Sequence, residues 1–253
     1  MLVSELSITV LGCSNAWAAP GEATSGYLVQ TDTTNLLLDC GHGVVSKLRE
    51  HLEPQMLDAV WLSHLHADHC ADLISLAYLL RFHPHPQQGT RPRLFVPESD
   101  RPRLRQLGEA FGDGEVFDKA FDVYGVKSAE QLTVHDLTLC GVSVPHPLPT
   151  LAVDVRSGDG GRVTYGADSG PSSALTELAA DTPLLLIEAT LPEADADHLS
   201  ALAAGQLARR ARAGRCVLIH VCDAFDLSWV REQGEAGFGA PVTIARAGMK
   251  LIA

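Results

Sequence analysis

Residues 61–73 read WLSHLHADHCADL, and the fold turns on how this stretch is parsed. The run leading into it, LDAVWLS at 57–63, has the apolar, strand-forming content of a buried β-strand, while ADLISLAYLLRF at 71–82 has the length and apolar spacing of a helix. A strand that enters a polar turn and leaves it as a helix is the building unit of an α/β architecture, in which functional groups gather where strands end. Here the turn crowds three histidines and an aspartate into six residues, His64 to His69.

The same pattern extends outward in both directions. On the N-terminal side LSITVLG (6–12), GYLVQ (26–30) and NLLLDCG (35–41) read as strands, the last two parted by the polar turn TDTT, with a short helix over 44–51. On the C-terminal side HPHPQQGTRPR (83–93) is a Pro-rich loop, RLFVP a strand and 99–111 a helix. Strand-like runs follow at 120–126, 130–136, 137–146, 151–157 and 161–168. A helix over 172–180 leads to a strand at 183–189, a helix over 198–213 to a strand at 215–221, and PVTIARAGMKLIA closes the chain. No linker, low-complexity tract or fixed-period repeat divides this series, so residues 1–253 are read as a single domain. Two clusters of strands with helices late in each half predict two sheets packed together, covered by helices outside, with ligands at strand ends.

The bulk properties narrow the function. A chain of 253 residues with 46% apolar content can bury a substantial core. Its formal charge of −12 repels phosphate polymers and counts against an extended nucleic-acid groove, but it is compatible with a small phosphate ester held by metals. Six cysteines form no CxxC pair and are expected reduced and mostly buried. The N-terminal residues lack a signal-peptide pattern, and no run reaches the roughly 18 apolar residues of a membrane span. The expectation is a cytoplasmic protein without membrane contact.

In HLHADH, His64 and His66 lie two apart, so on an extended segment both imidazoles face the same way. Asp68 and His69 follow after the chain turns into the helix and can face the other side of the same hollow. Imidazole nitrogen and carboxylate oxygen are ligands that zinc, iron and manganese accept, so one short loop could serve two metals. The alternative is a surface histidine cluster at a helix start, with Asp68 favoured there by the helix dipole. His146, Asp168 and His220 each follow an apolar strand-like run, and this shared position favours the metal reading.

This set closely resembles the metallo-β-lactamase superfamily, whose HxHxDH motif is matched in full by His64, His66, Asp68 and His69. The resemblance runs from ITVLGCSNA and LLLDCGHG through to VLIHV, and implies a four-layer αβ/βα sandwich of two mixed β-sheets with helices on the outer faces. It also implies two divalent metal ions, zinc first, with manganese or iron as alternatives. His64, His66 and His146 would hold one, Asp68, His69 and His220 the other, and Asp168 would bridge them. Within the superfamily, ITVLGCSNAW, SGYLV, LSHLHADHCADL, YGADSG and LLIEAT followed by DHLS resemble the ribonuclease Z-like group, closest to atypical class II cyclic-nucleotide phosphodiesterases. In that group a glutamate and a downstream histidine form an auxiliary catalytic pair, which maps onto Glu188 and His198. The family suggests a homodimer.

The function expected from these residues is a di-metal hydrolase that cleaves a phosphodiester, a small cyclic nucleotide or related ester, by attack of a metal-bridging hydroxide. Asp68 would hold a metal and orient the nucleophile, and His198, positioned by Glu188, would protonate the leaving alkoxide. Two alternatives remain open. Transfer-RNA 3′-end cleavage is disfavoured, because residues 83–145 offer no basic, glycine-rich arm and VCDAFD after His220 departs from the pattern of such enzymes. Lactone or thioester hydrolysis could use the same metal centre. Other residues have plainer readings: Asp39 as a buried carboxylate bonding backbone amides, His42 as surface, Cys70 as a small helix-packing residue, and 208–215 as a solvated helix end. Ser14 and Asn15 sit where a loop could touch substrate, and Arg81, His83 and His85 could equally bind phosphate or belong to a surface loop.

Overall fold

The structure, a computed structural model, describes residues 6–84 and 91–253. In chain order its strands are β1 (Ser7–Gly12), β2 (Gly26–Gln30), β3 (Asn35–Leu38), β4 (Ala59–Trp61), β5 (Arg93–Pro97), β6 (Asp122–Val126) and β7 (Gln131–Val134). They continue with β8 (Leu137–Val144), β9 (Thr150–Ser157), β10 (Arg162–Tyr165), β11 (Leu184–Glu188), β12 (Cys216–Ile219), β13 (Thr243–Ile244) and β14 (Lys250–Ile252). The α-helices are α1 (Val44–Leu48), α2 (Ala67–Cys70), α3 (Leu73–Phe82), α4 (Arg101–Ala110), α5 (Val116–Ala120), α6 (Ser173–Leu178), α7 (Ala201–Arg210) and α8 (Leu227–Phe238).

The strands form two seven-stranded sheets, ordered β14-β1-β2-β3-β4-β5-β6 and β13-β12-β11-β10-β9-β8-β7. Each is antiparallel in one half and parallel in the other, with β3 to β6 parallel in the first and β10 to β13 parallel in the second. Parallel neighbours need crossovers, and these supply the outer helices. Because each sheet is covered on both faces, its strands read as nearly continuous apolar runs.

Alternation along each strand sorts those residues between layers. Ile8 and Val10, Leu36 and Leu38, Leu184 and Leu186, and Val217 and Ile219 enter the core between the sheets. Leu11, Leu28, Leu37 and Val60 pack under α1, α3 and α5, while Leu185, Ile187 and Leu218 pack under α6, α7 and α8. Three apolar layers between four layers of structure make the αβ/βα sandwich. Tyr27 and Tyr165 meet across the sheets with ring centroids 5.2 Å apart. The Trp61 ring lies where a Cβ on Gly141 would come within 2.7 Å, and its Nε1 donates to the Leu151 carbonyl at 3.4 Å.

Several boundaries differ from the sequence reading. The helix expected at 71–82 is α3, which begins at Leu73, and a separate short helix, α2, precedes it and is built from the histidine motif itself. The closing segment 241–253 is divided between the two sheets as β13 and β14. Helices α5 and α8 were not expected. α8 carries Gly234 and Gly237 in its interior, which lowers helix propensity, yet a Cβ on Gly237 would lie 2.3 Å from the Leu202 carbonyl oxygen of α7 and one on Gly234 2.9 Å from the Leu218 side chain. A Cβ on Gly205 would lie 2.2 Å from the Gly234 carbonyl oxygen, so the missing side chains let the two helices touch.

Residues expected to have plain packing or surface roles mostly have them. All six cysteines are free, and Cys70 packs among the apolar residues beneath α3, its thiol pushed by burial up to about 12. His42 is exposed. Arg212 of the 208–215 stretch pairs with Asp181 at the surface, 2.6 Å apart. Arg81 pairs with Asp113 at 2.9 Å; His85 lies outside the described residues. Among the described residues no helix is long and apolar enough to cross a membrane.

Candidate metal centre

Three strand ends that shape the site hold non-glycine residues in the left-handed region: Asp39 after β3 (φ 57°), Ala167 after β10 (φ 52°) and His220 after β12 (φ 55°). Each such residue costs about 1 kcal/mol or more, and the sharp turn it makes aims Asp39, Asp168 and His220 at a common point. The histidine loop comes to the same place after β4. Gly41 makes room for it, since a Cβ there would fall 1.9 Å from the Asp68 carbonyl oxygen.

The seven sequence-designated residues form two adjoining groups. In the first, His64 Nε2 and His146 Nε2 each lie 3.0 Å from His66 Nδ1. In the second, His69 Nε2 is 3.5 Å from Asp68 Oδ2 and 3.3 Å from Asp168 Oδ1. His220 Nε2 completes it, 3.0 Å from Asp68 Oδ2 and 3.6 Å from Asp168 Oδ2. Two ligands of one tetrahedral ion, each roughly 2.1 Å from it, stand about 3.4 Å apart, so these spacings suit metal ligation. Asp168 also lies with His146 and His198 in a third such cluster, which puts its carboxylate between the two groups.

Proton positions give an independent test of fit. Ser63 Oγ donates to Asp39 Oδ2 at 2.7 Å, so toward His64 Nδ1, 3.0 Å away, it can only accept. Thr190 Oγ1 donates to Glu188 Oε2 and likewise accepts from His220 Nδ1 at 2.8 Å. His146 Nδ1 donates to the Asp197 carbonyl at 3.2 Å, and His69 Nδ1 to Asp39 Oδ2 at 2.7 Å. Four histidines therefore commit Nδ1 as a donor to the protein and turn Nε2 to the hollow, the orientation a metal needs. The donor set fits two divalent ions.

Burial holds the His64 imidazole well below its ordinary range. Burial also opposes charge on His69, but Asp168 and Asp39 outweigh it and raise that ring. Asp168, although buried, is kept well below the usual carboxylate range by His220 and His69. These opposed charges define a site in which anionic carboxylates and imidazoles stabilise one another side by side.

Glu188 ends β11, fully buried, where its Oε1 accepts from the Ser169 amide at 2.6 Å. The same carboxylate accepts from His198 Nδ1 at 3.1 and 3.2 Å. That hydrogen bond raises the half-buried His198 imidazole to about 9. His198 lies in the loop before α7, whose N-cap is Ser200, and its ring lines a cleft of about 520 Å³ with His66, Asp68, Asp168 and His220. Arg81 and His83 are not among the residues lining it.

Sequence reasoning gave Asp39 only backbone partners. It does accept from the Ser63 amide at 2.7 Å, but it also orients His69 and accepts from the Tyr165 hydroxyl at 2.6 Å. Thr190, the link between Glu188 and His220, was missed; its one sequence signal was its place in LLIEAT. Trp17 and Phe225, which line the cleft, were also not singled out.

Comparison with known proteins agrees with this geometry. The family described as Beta-lactamase superfamily domain matches residues 34–221. An uncharacterized protein of Mycobacterium tuberculosis is 34% identical over 247 residues, 95% of this chain and 89% of its own length. The probable metallo-hydrolase YhfI of Bacillus subtilis is 30% identical over 249 residues, 96% of this chain and 98% of that protein. The crystal structure of YhfI, titled a metallo-beta-lactamase fold protein, superposes with a TM-score of 0.88 at 28% identity, covering 99% of this chain and 100% of that one. A diphosphatase of the PhnP family shares the fold at 19% identity, with a TM-score of 0.78 over 97% of this chain and 96% of that one. With the matched segment spanning most of the chain, both sheets in place and the histidine motif at the strand ends, the chain belongs to the β-lactamase superfamily and has the metallo-β-lactamase fold.

Proposed function

We propose that this protein is a metal-dependent phosphodiesterase that cleaves a small cyclic nucleotide or a related ester. The observation that carries this reading is the His198–Glu188 pair, which opens into the same cleft as both ligand groups. A thioester expels a thiolate that leaves without a proton, whereas expelling an alkoxide from phosphorus is helped by a proton at the leaving oxygen. Names among the relatives support phosphoester chemistry, including ribonuclease Z of Natronomonas pharaonis, 24% identical over 302 residues.

His64, His66 and His146 would hold one divalent ion and Asp68, His69 and His220 a second, with Asp168 shared between them; zinc is the first candidate. Such ions supply a water that is acidic enough to attack at neutral pH and neutralise the charge of the phosphate. Asp68 faces the cleft and orients the attacking water. His198, protonated at neutral pH, donates its Nε2 proton to the departing alkoxide while its Nδ1 proton stays with Glu188. Glu188 is held in turn by the Ser169 amide and Thr190, so the imidazole keeps one orientation. A cleft of about 520 Å³ suits a mononucleotide better than an extended nucleic acid.

Protein loaded with zinc or manganese should hydrolyse bis-p-nitrophenyl phosphate and at least one cyclic nucleotide, with both activities lost in His66→Ala. The screen should include unprocessed transfer RNA and lactones. Rapid lactone or thioester cleavage without turnover of any phosphodiester would sink the proposal.

A further inference from the structure

The loops after β1 and β12 form one wall of the cleft, and their backbones are joined. The His220 amide donates to the Cys13 carbonyl at 3.0 Å, and Ser14 pairs with Val221 in a parallel bridge. Farther out, Trp17 Nε1 donates to Asp223 Oδ1 at 3.2 Å. The segment that delivers His220 is thereby tied to the segment that carries Trp17. Trp17 is 55% exposed, and its single polar hydrogen is already taken, so what it presents to the cleft is an aromatic face. Phe225 adds a second ring to this wall and is itself propped edge-on by Trp229, 5.9 Å between centroids at 73°.

Beside Trp17, Asn15 also lines the cleft. It is only 4% exposed, yet its Oδ1 accepts no hydrogen bond. A buried acceptor without a donor is costly, and a turn of this side chain toward the cleft it borders would give it one. The wall thus combines exposed aromatic surface, tied back to Asp223, with one buried and unpartnered acceptor beside it.

We infer that this wall binds the nucleobase of the substrate: the base stacks on Trp17, and an exocyclic amino group donates to Asn15 Oδ1. This base site presupposes the phosphodiesterase reading for the phosphate end, and it narrows the substrate class to nucleotides whose base carries an amino group. Stacking is tolerant of base identity because every base has a π-face, so Trp17 supplies affinity. The acceptor supplies discrimination, since an adenine offers N–H where hypoxanthine offers a carbonyl.

Calorimetric titration of the metal-loaded protein with adenosine 5′-monophosphate, inosine 5′-monophosphate and ribose 5-phosphate tests this. Adenosine monophosphate should bind about 5- to 150-fold tighter than ribose 5-phosphate. Trp17→Ala should remove most of that ratio and Trp17→Phe should retain it, while Asn15→Ala should abolish the preference for adenosine over inosine monophosphate. Equal binding of ribose 5-phosphate and adenosine monophosphate to the unsubstituted protein, or an undiminished ratio in Trp17→Ala, overturns the inference. Hydrolysis of 3′,5′-cyclic AMP by the same preparation separates the two readings. Turnover without base preference leaves the phosphodiesterase standing and removes the base site; base preference without turnover does the reverse.

Discussion

Replacing Asp39 by asparagine should weaken one metal group and spare the other. The wild-type carboxylate receives four donors: the Ser63 amide on Oδ1, and Ser63 Oγ, Tyr165 hydroxyl and His69 Nδ1 on Oδ2, at 2.6 to 2.7 Å. An amide of the same shape cannot accept them all. With its NH₂ in the Oδ2 position, the two hydroxyls can rotate, but His69 must give up its Nδ1 proton and carry it on Nε2, the atom that faces Asp68 and Asp168. With the amide flipped, the NH₂ meets the Ser63 backbone N–H, which cannot turn. Either arrangement spoils His69 as a ligand. Loss of such an orienting partner costs 10- to 100-fold in metal affinity, about 1.4–2.7 kcal/mol. Zinc titration of metal-free protein against a competing chromogenic chelator should show one weakened site in Asp39→Asn, while the His64, His66 and His146 site holds within a few-fold. A folded Asp39→Asn protein that binds both ions as the wild type does would refute this account of the network.

Two further outcomes follow from the geometry. In metal-free protein the His198 imidazole should titrate near pH 9 by NMR, and Glu188→Gln should bring it back toward 6.5. Because the folded value lies above the unfolded one, the stability gained from this pair is complete below about pH 6.5 and is lost as the pH rises through about 9; an unmoved titration in Glu188→Gln would contradict the pairing. Gly205→Ala would place a methyl 2.2 Å from the Gly234 oxygen and 2.7 Å from the Phe238 nitrogen, so thermal unfolding should show a loss of about 1–3 kcal/mol. A melting temperature equal to wild type would mean that α7 and α8 do not need that close approach.

The candidate metal ligands were legible because they sit in a dense motif or just after apolar strand-like runs, and strand ends are positions that local pattern can locate. His146, Asp168 and His220 lie far apart in the chain, yet each follows its own strand, and the topology brings them together. Asp39 was harder to read. Its residue type and its place after NLLL were visible, but its main partner, His69, is reached only through the parallel pairing of β3 with β4. Helix α8 was hidden by the glycines that let it pack, since propensity counts their entropic cost and not the neighbour that requires them. The split of 241–253 between sheets likewise depends on pairing with β12 and β1, which strands of two and three residues do not announce. Trp17 and Phe225 carry no local pattern at all, and acquire their setting from the bridge between two loops.

In the proposed reaction His198 hands a proton to an oxygen leaving phosphorus. The most direct test of this step is the rate of His198→Ala, metal-loaded, on two substrates that differ in leaving-group basicity. A 3′,5′-cyclic nucleotide expels a basic alkoxide and should lose about 10²- to 10⁴-fold in kcat, whereas bis-p-nitrophenyl phosphate expels a weakly basic phenolate and should lose far less. Equal losses on both substrates, with both metals still bound, would contradict that role.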